Sequence, residues 1–264
     1  MLASAVLTPT ESKKLIAKAV VAMPEMQKAW KEGYIVIHPC STNLFIYEEL
    51  MHSRPDGAWV FGYIGPEGGA RSRDAIRGYE LEEKEGIPFK KQWVFYQGEP
   101  CDAGPLDAIL ANMKEGDVFI KGANALDAQG NVAMLTPNPA KGGTTGKVTK
   151  IAPAKGFTII VPVGLEKMIP GNLADVFEFI GRESPEDAIG LRCGLVPGKG
   201  AVKVDERDAL RILTGVEAIM GAGGGIDGAE GSVTLFFKGE EDQVKAAMEL
   251  LRSVKGAALP KLNR

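Results

Sequence analysis

The stretch GDVFIKGANALDAQGNVAML, residues 116–135, contains a short apolar run that ends in a polar turn. VFI at 118–120 has the character of a buried strand, and KGAN at 121–124 follows it with a charge, a glycine and an amide. Open α/β sheets place their ligands where a parallel strand ends in such a turn. We therefore expect Lys121, Gly122 and Asn124 to lie at a ligand site.

Strands alternate with helices outward from this stretch. Residues 8–33 carry apolar side chains at helical spacing, with Thr8 or Thr10 as the N-cap. Other helices are predicted at 41–53 and 104–116, and strands at 34–39, 58–65, 90–98, 117–122 and 156–164. The alternation predicts a three-layer α/β fold, in which a mainly parallel sheet has helices on both faces.

The pattern changes near residue 184, where a turn-rich bridge begins. Beyond it we predict helices at 204–215 and 240–256, and strands at 216–225 and 231–239. This order suits a small α+β domain of the ferredoxin-like type. The predicted division is an α/β domain at 1–185 and a ferredoxin-like domain at 186–264.

Composition narrows the classes of function. The formal net charge of the 264 residues is -3, so no basic field is available to hold a nucleic acid. Three separated cysteines and two histidines favour neither a disulfide framework nor a metal site. No apolar run approaches the roughly 18 residues of a membrane span. We expect a cytoplasmic homo-oligomer, a dimer in the simplest case, with no membrane contact and no bound cofactor.

Two segments could bind an anion. Ser41, Thr42 and Asn43 open a predicted helix, whose free backbone N–H groups attract negative charge. Cys40 beside them could be a reactive thiol, or Ser41 could serve only as a helix cap. In the second segment, NPAKGGTTGK at 138–147, the residues with the composition of an anion-cradling loop are Lys141, Gly142, Gly143, Thr144 and Lys147.

Two glutamates are candidates for proton transfer. Glu166 and Lys167 follow the predicted strand at 156–164, where a carboxylate and an ammonium group can act as base and electrophile. The alternative is a surface ion pair. Glu67 lies in GPEGGARSR at 65–73, where the glycines would allow a substrate to approach closely. A solvated surface loop is the alternative there.

A glycine-rich stretch, GAGGGIDGAEGS at 221–232, superficially suggests a dinucleotide-binding loop. It lies between two predicted strands, whereas the dinucleotide motif needs a strand followed by a helix. We predict a mobile loop, with a gate or a subunit contact as alternatives, and we do not expect a flavin or nicotinamide dehydrogenase.

Residues 116–135 and GFTIIVPVGLEKMIP at 156–170 together resemble the lactate-utilisation (LUD) domain pattern of TGANAI..DG and GVNKIVPD. GYIVIHPCSTNLFIYEEL at 33–50 resembles the start of the wider ribose-phosphate isomerase, glucosamine-phosphate deaminase and CoA-transferase superfamily, although it lacks that family's glycine-rich GTGST loop. The residues that match the two LUD motifs are Gly122, Ala123, Asn124, Ala125, Gly130, Gly164, Lys167, Ile169 and Pro170. The resemblance implies a ligand site at the ends of parallel strands for a sugar phosphate or a CoA thioester.

Two functions follow from these observations. The first is an isomerase or transferase that acts on a small anionic metabolite, with CoA as a potential part of the substrate. Glu166 or Glu67 would move protons together with Lys121 or Lys167, and the same groups would suit a covalent glutamyl intermediate. The second is a non-catalytic ligand-binding or accessory subunit in a cytoplasmic metabolic complex.

Overall fold

The computed structural model describes residues 1–66, 68, 72–86 and 91–262. A six-stranded sheet in the order β10-β8-β5-β2-β3-β4 forms the centre of the fold. The strands are β1 (Leu2–Leu7), β2 (Tyr34–Ile37), β3 (Trp93–Tyr96), β4 (Glu99–Pro100), β5 (Val118–Ile120), β6 (Ala125–Leu126), β7 (Val132–Thr136), β8 (Thr158–Pro162), β9 (Gly194–Pro197), β10 (Val202–Val204), β11 (Glu217–Gly224) and β12 (Ser232–Lys238).

The neighbouring strands β10, β8, β5 and β2 are parallel. β3 pairs antiparallel with β2, and β4 with β3. Every residue of β5 is buried, as expected for a central parallel strand covered on both faces. The mixed α/β class is therefore confirmed, and the carboxyl ends of four strands meet at one edge.

Helices surround this sheet. They are α1 (Pro9–Ala22), α2 (Pro24–Glu32), α3 (Ser41–Met51), α4 (Arg73–Glu85), α5 (Leu106–Asn112), α6 (Gly143–Lys155), α7 (Leu173–Ile180), α8 (Glu206–Thr214) and α9 (Glu241–Val254). α1 begins with a capping box in which Thr8 and Glu11 exchange side-chain and backbone hydrogen bonds, which confirms Thr8 as the N-cap. α1 contacts α3, α8, β8 and β10, so it connects the N-terminal and C-terminal parts of the chain.

Two smaller sheets complete the structure. β6, β7 and β9 form an antiparallel sheet after the turn at 121–124. β1, β12 and β11 form another, with β12 in the middle. The pairing of β1 with β12 joins the two ends of the chain, a contact that the local sequence pattern did not predict.

Three features differ from the sequence expectations or extend them. Residues 58–65 form no strand in the described sheets, only an isolated bridge at Tyr63, because Gly57, Gly62 and Gly65 interrupt the apolar run. β10 lies beyond residue 185 yet joins the central sheet, while β1 joins the C-terminal strands. Sheet pairing thus crosses the predicted division at 185/186 in both directions. The ferredoxin-like arrangement is not confirmed.

Asp117 connects the start of β5 to the start of β2. Its buried carboxylate accepts hydrogen bonds from the backbone N–H groups of Tyr34 and Lys114, both at 2.7 Å. Asp117→Ala would leave both donors unpaired, and we expect it to lower the free energy of unfolding by about 2 kcal/mol. Urea denaturation measures this change. Asp107→Ala, which removes an exposed ion pair with Lys147, serves as the control and should change the free energy of unfolding by less than about 0.5 kcal/mol.

Candidate functional site

Polar residues gather at the carboxyl edge of the parallel strands. Lys121 follows β5, Glu166 and Lys167 follow β8, Glu206 begins α8 just after β10, and Cys40 lies three residues beyond β2. Lys13, from the first half of α1, interacts electrostatically with Glu166, Lys167, Cys40 and Glu206. Lys121 interacts in the same way with Cys40. We call the group of Lys13, Cys40, Lys121, Glu166, Lys167 and Glu206 the edge cluster.

Glu206 is the fully buried carboxyl group of the edge cluster. Its two oxygens accept the backbone N–H of Leu165 at 3.2 and 2.9 Å. Burial, and next to it the charge of Glu166, raise the pKa of Glu206 to about 7. Glu206 can therefore hold or release a proton near neutral pH.

Glu166 folds back over the glycine that ends β8. A Cβ atom at Gly164 would lie 1.7 Å from Oε2 of Glu166, so a larger residue there would displace the carboxylate. Oε2 is buried and has no hydrogen-bond partner among the described residues. Gly231, at the end of the loop between β11 and β12, lies beside it, since a Cβ atom there would be 3.7 Å from Cβ of Glu166. This carboxylate oxygen therefore lacks the hydrogen-bond donor that buried polar atoms in proteins normally have.

Two lysines of the edge cluster make no direct polar contact with the described residues. Within the described part of the chain, the side-chain nitrogens of Lys13 and Lys121 form no hydrogen bond and no ion pair. Burial lowers the pKa of each, with Glu166 opposing the shift at Lys13 and Cys40 opposing it at Lys121. Such nitrogens favour an anion, because a negative charge would offset their desolvation.

The end of β2 places Cys40 and His38 near Lys121. A Cβ atom at Gly122 would lie 2.9 Å from Sγ of Cys40, so the thiol packs directly on the turn after β5. Burial, followed by the charge of Lys121, lowers the pKa of His38 well below its ordinary value. Its Nδ1 is buried without a partner among the described residues. His38 is therefore a neutral imidazole beside Lys121.

The residues at the start of α3 differ in their hydrogen bonding. Cys40, rather than Ser41 or Thr42, is the N-cap of α3, and its side chain makes no capping hydrogen bond. Nδ2 of Asn43 donates to the carbonyl oxygen of His38 at 2.7 Å and to that of Ile120 at 3.5 Å, which ties β2 to β5 just below the edge cluster. Oγ1 of Thr42 is buried without a partner among the described residues. Asn43 positions the strand ends, whereas its predicted ligand contact stays a prediction.

The side chains of Lys167 and Asn124 form hydrogen bonds with backbone groups of the protein. Nζ of Lys167 donates to the carbonyl oxygen of Ala123 at 2.8 Å. Asn124 is exposed, and its Oδ1 accepts the backbone N–H of Leu135 at 3.0 Å. Both side chains hold the turn after β5 in place. The sequence predicts that Asn124 contacts a ligand. The structure shows its hydrogen bond to β7, and the ligand contact stays a prediction.

The segment predicted to cradle an anion begins α6. Gly142 is its left-handed N-cap, and a Cβ atom there would lie 2.8 Å from Cα of Gly146. Lys147 forms an exposed ion pair with Asp107, with Nζ 2.7 Å from Oδ1, and its predicted role as an anion ligand stays a prediction. In the described structure no hydrogen bond or ion pair joins Lys141, Gly143 or Thr144 to the edge cluster. The glycines serve the tight start of the helix.

The last predicted site residue is Glu67, and two further kinds of feature, a metal site and a membrane-spanning helix, would also bear on function. Glu67 lies outside the described residues. Among the residues that are described, no group of three or more His, Cys, Asp and Glu side chains could hold a metal ion. None of the helices in those ranges has both the length and the apolar character that crossing a membrane would require.

Comparison with known proteins identifies no family for the chain. No protein-family model and no curated protein matches it. Among solved structures, 5-methylthioribose 1-phosphate isomerase from Pyrococcus horikoshii OT3 is 18% identical over 34% of this chain and 28% of that chain, with a TM-score of 0.21. A score of this size does not establish a shared fold, and the resemblance to the LUD domain is not confirmed.

Proposed function

We propose that this chain is an enzyme that binds a small anionic metabolite at the edge cluster and moves a proton on it. The substrate class is a sugar phosphate or an acyl thioester, in which a carbonyl group activates the neighbouring carbon. Lys13 and Lys121 bind the anionic group, and Glu166 exchanges the proton.

The observation that carries this proposal is that lysine nitrogens and a carboxylate oxygen without hydrogen-bond partners lie at the same edge of the sheet. Among the described residues, the side-chain nitrogens of Lys13 and Lys121 form no hydrogen bond and no ion pair, and Oε2 of Glu166 has no hydrogen-bond donor. Lys13 and Lys121 are half-buried, and charged groups that lose hydration without gaining a partner are costly, so these lysines and the buried oxygen of Glu166 at one sheet edge indicate a ligand that supplies their partners. The ligand must therefore combine an anionic group with a proton that a carboxylate can take.

The chemistry follows from the positions of the two carboxyl groups. Glu166 would abstract a proton next to the carbonyl, and an ammonium group would stabilise the enolate that forms. Glu206, with a pKa of about 7, would hold a proton at neutral pH and limit the repulsion between the two carboxylates. In an acyl transfer from a thioester, a carboxylate oxygen of Glu166 would instead attack the acyl carbon, the carbon–sulfur bond would break with release of the thiolate, and a glutamyl anhydride would form.

A non-catalytic ligand-binding subunit is the second candidate. It is favoured by the hydrogen bonds of Lys167 and Asn124 to the backbone, which engage two of the predicted site residues with the protein itself. A ligand that binds at Lys13 and Lys121 but exchanges no proton and forms no covalent intermediate would support this function.

Lys13→Met and Lys121→Met test the binding step. Methionine keeps most of the side-chain volume and removes the charge, so each variant should weaken anion binding by about tenfold or more. Isothermal titration calorimetry with inorganic phosphate, sugar phosphates and acyl-CoA measures the affinities. Lys147→Met is the matched control, because its charge already pairs with Asp107, and its affinity should equal that of the unmodified chain. Equal affinity in all three variants would contradict the proposal.

A further inference from the structure

The outer face of the sheet formed by β1, β12 and β11 carries exposed apolar side chains. Alternate residues of β12 point away from the core, with Phe236 41% exposed between the buried Leu235 and Phe237. On the flanking strands, Leu2 is 69%, Val6 52% and Ile219 65% exposed. We call this surface, formed by Leu2, Val6, Ile219, Phe236, Glu217 and Lys238, the outer face.

The strand register arranges these side chains in rows. Ser4, Phe236 and Ile219 lie side by side across the three strands, and Leu2, Lys238 and Glu217 form the next row. Phe236 spreads sideways over β11, since a Cβ atom at Gly221 would lie 2.5 Å from its ring. The result is a flat apolar surface with one positive and one negative charge at its end.

We propose that two copies of this chain pack through the β11 and β12 part of the outer face, related by a two-fold axis parallel to the strands and passing between β11 and β12, with β1 at the rim of the interface. This axis places Phe236 opposite Ile219 of the partner subunit, and Ile219 opposite the partner's Phe236. It also places Lys238 opposite the partner's Glu217, and Glu217 opposite the partner's Lys238. Face-to-face sheets pack about 10 Å apart, a distance that apolar side chains of this size fill.

Charge identifies a second copy as the occupant. Lys238 and Glu217 are 70% and 80% exposed and only 3.7 Å apart, so the outer face carries no net charge and has no attraction for an anionic membrane or a nucleic acid. A self-complementary arrangement needs both signs in the same patch, because a two-fold interface brings the same surface together with itself. Lys238 and Glu217 meet this condition, while the apolar row beside them supplies the burial.

Ile219→Asp tests the position of the interface. We expect the unmodified chain to be a dimer, and the variant to dissociate with a dissociation constant raised about tenfold or more. Sedimentation equilibrium measures the constant, and the thermal melting curve checks that the variant is folded. Phe179→Asp is the control, because Phe179 is an apolar side chain 92% exposed on α7, outside the outer face. It should leave the dimer intact.

Three results would overturn the proposal in this experiment. They are a monomeric unmodified chain at about 100 µM, a dimer that survives Ile219→Asp, and a monomer that instead binds lipid vesicles through the outer face.

Charge reversal tests the proposed axis itself. Glu217→Lys and Lys238→Glu should each weaken the homodimer, since each places like charges opposite one another. An equimolar mixture of the two variants should form a mixed dimer. In it, one subunit has lysine at both positions and the other has glutamate at both, so each positive charge faces a negative one. Native mass spectrometry resolves the mixed species from the homodimers once one chain carries an isotope label. The axis would be contradicted if the mixed dimer were no more abundant than expected for subunits that associate as weakly as in the two variant homodimers.

Discussion

Replacing Glu166 with glutamine is expected to slow proton exchange on the bound metabolite by about 10²–10⁴-fold while leaving the anion bound. Glutamine has nearly the same shape as glutamate but cannot accept a proton at neutral pH. Because Oε2 of Glu166 is buried and accepts no hydrogen bond from the described residues, the change breaks no hydrogen bond at this oxygen, and the lost attraction to Lys13 is offset by the lost repulsion from Glu206. The effect should therefore fall on the reaction and not on stability.

Proton NMR in D₂O measures this exchange directly, as the loss of signal from the carbon next to the carbonyl of the anion that binds most tightly. Glu178→Gln, on the exposed side of α7, is the matched control and should exchange at the unmodified rate. If Glu166→Gln exchanges as fast as the control, another group is the base. If neither the variant nor the unmodified chain exchanges a bound anion, the protein binds without catalysis.

Glu206→Gln is expected to change how stability depends on pH. Burial raises the pKa of Glu206 from its ordinary value of 4.5 to about 7 in the folded chain, so folding favours the protonated form. The stability from this group is fully present below pH 4.5, declines as the pH rises from there through about 7, and is then lost. Relative to the unmodified chain, the variant should gain about 3 kcal/mol between pH 4.5 and pH 8.

Urea denaturation of both chains at several pH values measures this difference, in which the titrating groups that do not interact with Glu206 cancel. The glutamine side chain of the variant would still accept the backbone N–H of Leu165 through its amide oxygen, so the comparison isolates the charge. Glu241→Gln, an exposed residue paired with Lys245, should show a nearly constant difference over the same pH range. A constant difference for Glu206→Gln as well would show that Glu206 titrates as an ordinary carboxyl group.

The parallel strands were predictable because the signal for each of them lies within its own short stretch of sequence. Val118–Ile120 and Thr158–Pro162 are apolar runs followed by polar turns, and both form central strands. β1 was missed because its burial depends on β12, more than 200 residues away in the chain, and no local pattern reports such a partner. Residues 58–65 failed as a strand because the interrupting glycines outweigh the apolar run.

The candidate site was predictable only in part, for a related reason. Lys121, Glu166 and Lys167 follow strands, so their place at the sheet edge could be expected. Lys13 lies within α1 and Glu206 at the start of α8, and their approach depends on how these helices pack. The cradle-like composition of residues 141–147 is ambiguous, because glycines that begin a tight helix resemble glycines that bind an anion.

Lysine-specific NMR tests the central claim most directly. In the chain labelled with ¹³C at lysine, the Cε–Hε signals of Lys13 and Lys121, assigned by single replacement with arginine, should shift together as a sugar phosphate or an acyl-CoA is added. The two signals should report one shared dissociation constant, and the signal of Lys147 should not move. Anions that bind while the signals of Lys13 and Lys121 stay unchanged would contradict the account.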